Sequence, residues 1–235
     1  MYQKSDKIKN FQKRGACSLV FDDGYKKTIE NVLPILEKYN IKATFAFAGK
    51  PETIEKTEQI PCSKLEIIPK IREKGHEIAS HTLHHKNLIQ CSQQELTEEL
   101  RESQELFKAQ TIIYPGGKYN KKVVKEAQNY YLAGRGVEEE LNNIPLQNFY
   151  NLKSFVLRRN TKWFLLNREA RKAHRKNKWL IESYHLVSAK EKNYRFTVTL
   201  KDFEKHLQKL VGLNLWIAPV KTIAKYIKEK SPNLF

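Results

Sequence analysis

Short apolar runs of β type alternate with longer amphipathic segments along almost the whole chain, and this alternation limits the fold more than any other feature. The β-type runs are ACSLVFD (16–22), ATFAFA (43–48), EIASH (77–81), TIIYP (111–115), YLAGRG (131–136), SFVLR (154–158) and WLIESYH (179–185), with LWIAP (215–219) as a weaker eighth. Between them, TIENVLPILEKY (28–39) sets Ile29, Val32, Leu33 and Leu36 on one helical face. SQQELTEELRESQELFKA (92–109) does the same with Leu96, Leu100, Leu106 and Phe107, and opens on a Ser-x-x-Glu capping box at Ser92 and Glu95. Asn120 is a candidate N-cap for YNKKVVKEAQNY (119–130). Repeated βα units imply parallel strands with helices on the outside. Seven or eight of them in 235 residues favour a single-domain α/β barrel, closed or nearly closed, over a doubly wound sheet. Residues 1–14 read as an N-terminal extension, 15–229 as the barrel and 230–235 as a tail.

Chemistry in such a barrel gathers where the strands end. The pair Asp22–Asp23 ends the first strand, a histidine cluster the third, Tyr114-Pro115-Gly116 the fourth and His185 the seventh, so all four are expected on one face. The chain holds four aspartates, and two of them stand side by side, where their like charges repel. Four of the seven histidines, His76, His81, His84 and His85, fall within GHEIASHTLHH. His81 and His85, four apart, can share one metal. A catalytic zinc commonly takes three protein ligands and keeps one position open, and two histidines with one aspartate meet that count. The other aspartate then remains as a general base, and a dication offsets the repulsion within the pair. Side chains alternate along a strand, so the pair must sit where the strand breaks, which Gly24 permits. YPGG (114–117) offers the backbone N–H groups of Gly116 and Gly117 to an oxyanion. His185 is the candidate general acid.

Charge and composition narrow the alternatives. A 40% hydrophobic content with 11% aromatics describes a folded globule. The net charge of +17 favours anionic partners without setting a fold. In NREARKAHRKNK (167–178), Arg168, Arg171, Lys172 and Arg175 follow helical spacing, as one solvated helix face does. No nucleic-acid recognition motif accompanies the charge, so specific nucleic-acid binding is not expected. Cys17, Cys62 and Cys91 are an odd number without CxxC spacing and read as buried thiols. No apolar run reaches a membrane span, and MYQKSDKIKNFQKRG lacks the apolar core of a signal peptide. The sequence carries no signal for oligomeric state.

LVFDDG, HEIASHTLHH, YPGGKYN and LIESYH stand in the order and spacing of the motifs of NodB-homology polysaccharide deacetylases, carbohydrate esterase family 4, which the chain resembles over residues 15–229. ATFAFAG and FEKHLQKL…LWIAPVKTIAKYI add to the resemblance. It implies a distorted, TIM-barrel-like (β/α)7 barrel. It also implies removal of N-acetyl groups from amino sugars in chitin-like polymers, peptidoglycan or exopolysaccharides with a divalent metal, zinc before cobalt or nickel. By motif, Asp22 resembles the general base, Asp23, His81 and His85 the metal ligands, and His185 the general acid. Thr82 falls where a Ser or Thr steadies the metal loop. Gly116 falls at the oxyanion-binding N–H, with Tyr114, Pro115 and Tyr25 beside the substrate. Family members are usually exported, which favours an extracytoplasmic protein whose leader is absent from this chain over a cytoplasmic one.

Three positions depart from the family pattern. Ile113 stands where an arginine often braces the base, with Arg135, Arg158 and Arg159 as replacements. Ser183 replaces a leucine before the acid. No aspartate lies between Asp23 and Asp202 to tune His185. Glu182 is a candidate for that task, although strand alternation turns it away from His185. The departures leave two alternatives open: a glycan-binding barrel without catalysis, using Trp163, Trp179 or Tyr25 as a platform, and a hydrolase of non-peptide C–N bonds in a small molecule.

Overall fold

ACSLVF reads as a strand covered on both faces, as central strands of parallel sheets are. In the computed structural model, which describes residues 14–189 and 193–230, β1 (Ala16–Phe21) is buried along its whole length. There follow α1 (Lys26–Lys38), β2 (Thr44–Phe47), α2 (Pro51–Glu58), α3 (Ile68–Glu73), β3 (Glu77–Ser80), α4 (Gln93–Phe107), β4 (Thr111–Ile113), α5 (Lys121–Ala127) and β5 (Ala133–Arg135). The second part runs β6 (Phe155–Val156), α6 (Trp163–Lys176), β7 (Trp179–Tyr184), β8 (Leu186–Ser188), β9 (Thr197–Thr199), α7 (Leu200–Gly212), β10 (Trp216–Ile217) and α8 (Val220–Lys230). The expected extension 1–14 and tail 230–235 lie almost wholly outside the described residues.

Seven parallel strands pair in the order β5-β4-β3-β2-β1-β7-β6, and β10 adds to β1 opposite Ala16 and Cys17, below the point where β2 begins. The sheet curls back on itself. Gly134 N–H donates to Phe149 C=O, and Gly136 N–H to Leu152 C=O, so the segment leading into β6 lies against the edge strand β5. This is the expected distorted barrel, with two departures. Residues 136–154 contain no helix, so the βα alternation lapses between β5 and β6. The short β8 and β9, absent from the sequence reading, form a separate parallel pair behind His185.

Strand alternation divides β1 between two apolar cores. Cys17, Leu19 and Phe21 pack under the helices. Ala16 and Val20 join a second core with Ala46, Ala79, Ile113, Ala133 and Ile181, which α8 completes through Val220, Ile223, Ala224 and Ile227. Near the strand starts, buried Glu77 accepts hydrogen bonds from Thr44, Thr111 and the Lys221 N–H, tying β2, β3, β4 and α8 together. The capping box at Ser92 and Glu95 forms, and Asn120 caps α5 through the Val123 N–H. The three thiols are free and buried. On α6, Arg168, Arg171 and Arg175 are exposed, as a solvated face requires. No helix among the described residues is long and apolar enough to cross a membrane.

His76 is structural. Its Nδ1 accepts the Ala43 N–H at 3.0 Å, and burial, helped by Lys42 and Lys74, pushes its pKa down to about 4. The unfolded chain binds this proton near pH 6.5, so the stability it contributes is complete above that pH and is lost as pH falls towards 4. His76→Asn, which keeps the acceptor, is expected to lose less stability between pH 7 and pH 5 in urea titrations than the wild type. Equal losses would contradict this account.

Candidate active site

The carboxylate pair is brought to one face by the way β1 ends. Asp22 still pairs with β7, its N–H donating to Tyr184 C=O at 2.8 Å. Asp23 then turns left-handed at φ 67°, followed by Gly24 at φ 63°. The break expected at Gly24 therefore starts one residue earlier, at an aspartate, which tolerates this conformation better than most residues. Gly24 also lies against Phe47, whose ring would stand 2.7 Å from any Cβ placed there.

His81 follows β3, and its Nδ1–H donates to Ile113 C=O at 2.7 Å. That bond makes Nδ1 a donor and turns Nε2 towards Asp23 Oδ1, 3.3 Å away. Positive φ at Thr82 and His85 winds the next turn back over the strand ends. His85 Nε2 comes within 3.5 Å of the same Asp23 oxygen. The ligand atoms of Asp23, His81 and His85 lie within 4.8 Å of one another. Two imidazoles that turn Nε2 towards one carboxylate fit a divalent metal in ligand number and type, and the Nδ1 bond of His81 orients its ring for that role.

The charges are arranged to suit. Burial alone would raise the Asp23 pKa, but the His81 hydrogen bond and the charges of His185, His81 and His85 hold it well below the usual range. Burial opposes charge on His81, yet Asp23 raises its pKa. His85 is pushed down to about 4, by burial first and by His81 next, so its lone pair is available at neutral pH.

Asp22 takes no part in that triad. It is 3% exposed and meets Arg135, whose NH2 nitrogen stands 2.7 Å from Oδ1 and 2.6 Å from Oδ2. Of the three candidate arginines, Arg135 supplies the brace. Arg158 pairs with Glu139, and Arg159 reaches Asn193. The register explains the choice, because Arg135 on β5 is the cross-strand partner of Ile113 on β4. The guanidinium thus enters from the strand next to β4, where Ile113 stands.

His185 completes the cluster, its Nε2 being 3.8 Å from Asp22 Oδ2 and 4.0 Å from Asp23 Oδ2. Glu182 does turn away, as alternation requires, and binds His206 and Tyr184. The Nδ1 of His185 is buried and has no hydrogen-bond partner among the described residues. Ser183 bonds to Ser154. Gly116 lies at φ 58°, and its N–H donates to no group among the described residues. The Gly117 N–H is engaged by Tyr114 C=O at 2.8 Å, which removes it as a second oxyanion donor.

The residues expected at the substrate rim are more buried than a rim suggests. Tyr25 and Tyr114 are both 0% exposed and so are wall, not surface. The Tyr25 hydroxyl meets that of Tyr194, while Tyr114 bonds Tyr150 C=O and stacks on Tyr119. Pro115 is buried with it. Trp179 is fully buried, its indole N–H on Ser18, so it offers no platform, while Trp163 is half-buried and packs beside His206. The Thr82 hydroxyl has no partner among the described residues, and Thr82 shapes the loop through its backbone.

The sequence reading missed Glu99. From inside α4 it accepts the N–H groups of Leu83 and His84 at 3.0 and 2.8 Å and binds the His84 ring at 2.7 Å, stapling the histidine loop. Its signal was a carboxylate within the apolar stripe of a helix, between Leu96 and Leu100.

Comparisons with known proteins point to one family. Residues 9–133, more than half the chain, match the family model described as polysaccharide deacetylase. The Bacillus subtilis protein YxkH is 33% identical over 119 residues, covering 48% of this chain and 41% of its own length. A Bacillus cereus peptidoglycan-N-acetylglucosamine deacetylase is 31% identical over 91 residues, 38% of this chain and 30% of its own. The chain spans less than half the length of these curated relatives. A solved structure from Mycobacterium smegmatis shares the fold with a TM-score of 0.67 over 93% of this chain and 92% of that one, at 13% identity. With its motifs gathered on one face of the curled sheet and more than half its length matched, the chain belongs to the polysaccharide deacetylase family.

Proposed function

We propose that this protein hydrolyses the N-acetyl group of an amino-sugar polysaccharide or oligosaccharide, of peptidoglycan, chitin-like or exopolysaccharide type. The observation that carries the reading is the convergence of a braced carboxylate, Asp22, with the metal-binding set Asp23, His81 and His85. Asp23, His81 and His85 would hold a divalent cation, zinc being the metal the family resemblance favours, and it would supply Lewis acidity to the acetyl carbonyl and the attacking water. Asp22 takes a proton from that water, and Arg135 holds its carboxylate in place. The Gly116 N–H donates to the oxyanion that develops on the carbonyl. His185 gives a proton to the nitrogen as the C–N bond breaks, so the products are acetate and a free amine. The relatives' names support the glycan class, and the burial of Tyr25 and Trp179 weighs against a purely glycan-binding barrel.

Asp22→Asn is expected to lower turnover of N-acetylglucosamine oligomers by about 10²–10⁴ while leaving bound zinc, measured by elemental analysis, unchanged. Turnover retained in that variant would remove Asp22 as the base. His81→Ala should lose the zinc itself. Arg135→Met leaves a buried carboxylate unpaired and is expected to cost about 3 kcal/mol of stability. Adding Asp22→Asn to that variant should recover part of the stability but none of the activity, as read by denaturant unfolding and acetate release.

A further inference from the structure

His185 is held at its backbone, but among the described residues no hydrogen bond holds its ring. Its C=O accepts the Thr28 hydroxyl at 2.8 Å, and the same hydroxyl accepts the Val187 N–H at 2.9 Å. Its Nδ1 has no partner among the described residues, so no hydrogen bond among them sets the rotation of the ring. The ring instead stacks on Phe196, with centroids 4.7 Å apart and planes within 24°. The β8–β9 pair creates this contact. Leu186 is in register with Thr197, and the Leu186 N–H donates to Phe196 C=O at 3.2 Å, so His185 and Phe196 stand side by side one residue before the pairing begins.

Phe196 is itself fixed. The Arg159 N–H donates to Arg195 C=O at 2.9 Å, and the Thr197 N–H to Tyr194 C=O at 3.1 Å. The Arg195 guanidinium lies 5.4 Å from the Phe196 ring centre, and Tyr194 packs edge-on at 5.7 Å. Tyr194 in turn meets Tyr25 edge-on at 6.1 Å, with the two hydroxyls 3.1 Å apart. Tyr25 directly follows the Asp22-Asp23-Gly24 turn. An aromatic strap, Tyr25–Tyr194–Phe196, therefore runs from the turn that presents the carboxylates to the imidazole facing them.

We propose that Phe196 is the positioning residue of His185, its stacked face setting the ring orientation that no acceptor among the described residues sets at Nδ1. Stacking of this kind restrains a ring without fixing which nitrogen carries the proton. The role rests on the reading of His185 as the acid that protonates the departing amine. It makes a prediction that depends on the leaving group. Amide hydrolysis needs that proton, whereas an aryl ester departs as a phenolate that does not.

The test compares acetate release from tetra-N-acetylchitotetraose with hydrolysis of 4-nitrophenyl acetate by the zinc-loaded full chain. In Phe196→Leu the ratio of the two turnover numbers is expected to fall about tenfold or more, through kcat on the amide with KM little changed. Phe196→Tyr, which keeps the aromatic face, should restore it. An unchanged ratio in Phe196→Leu, or no rescue by Tyr, would overturn the proposal. NMR supplies a readout independent of turnover. The His185 ring protons, assigned by their absence in His185→Gln, should lie upfield in the wild type and in Phe196→Tyr, and move downfield in Phe196→Leu. Resonances that stay in place would also overturn it. A wild type that frees no acetate would defeat the deacetylase reading, and the ring-current shift would still decide the stack.

Discussion

The contact between Asp22 and Arg135 is the constraint around which the site is arranged. Both groups are almost fully buried, and neither charge would be tolerable there without the other. Asp22 follows the central strand β1 and Arg135 ends the edge strand β5, so their contact crosses the concave side of the curled sheet. With Asp22 held towards Arg135, the next residue must turn sharply for its carboxylate to meet His81 and His85. The left-handed conformation of Asp23 accomplishes this. One aspartate is thereby bound to a guanidinium and its neighbour to two imidazoles, which resolves the repulsion of adjacent carboxylates.

Much of this arrangement is legible in the sequence, because it depends on local rules. Alternating βα segments mark the strands, and the barrel rule places the Asp pair, the histidines, Gly116 and His185 on one face. Spacing along the chain cannot say which strands adjoin. Arg135, Arg158 and Arg159 were therefore equivalent candidates until the pairing of β4 with β5 set Arg135 beside Ile113. Burial of Tyr25 and Tyr114 was hidden for a similar reason. Tyr194, Tyr119 and Tyr150, which cover them, are distant in sequence or carry no local sign of the contact. LVS and TVT, three residues each, are too short for a period-two pattern to register, yet their pairing sets Phe196 against His185.

Polar groups are treated differently at the two ends of the barrel. Near the strand starts, Glu77 is buried but has three donors around its carboxylate. At the strand ends, the Thr82 hydroxyl, Arg135 Nε and His185 Nδ1 are buried without partners among the described residues. Unsatisfied groups are costly and uncommon in folded proteins. These three stand beside the carboxylate pair and the histidines, whereas the carboxylate at the opposite end is fully paired.

The backbone at Asp23 also limits how this family can decay. A residue at φ 67° is comfortable as glycine, asparagine or aspartate and strained as most others. A lineage that abandoned hydrolysis but kept the barrel would drift most easily to Asn or Gly here, since Ala or Val would burden the turn as well as remove the ligand. Loss of the carboxylate at this position would therefore leave a narrow trace among descendants, set by the torsion of one residue.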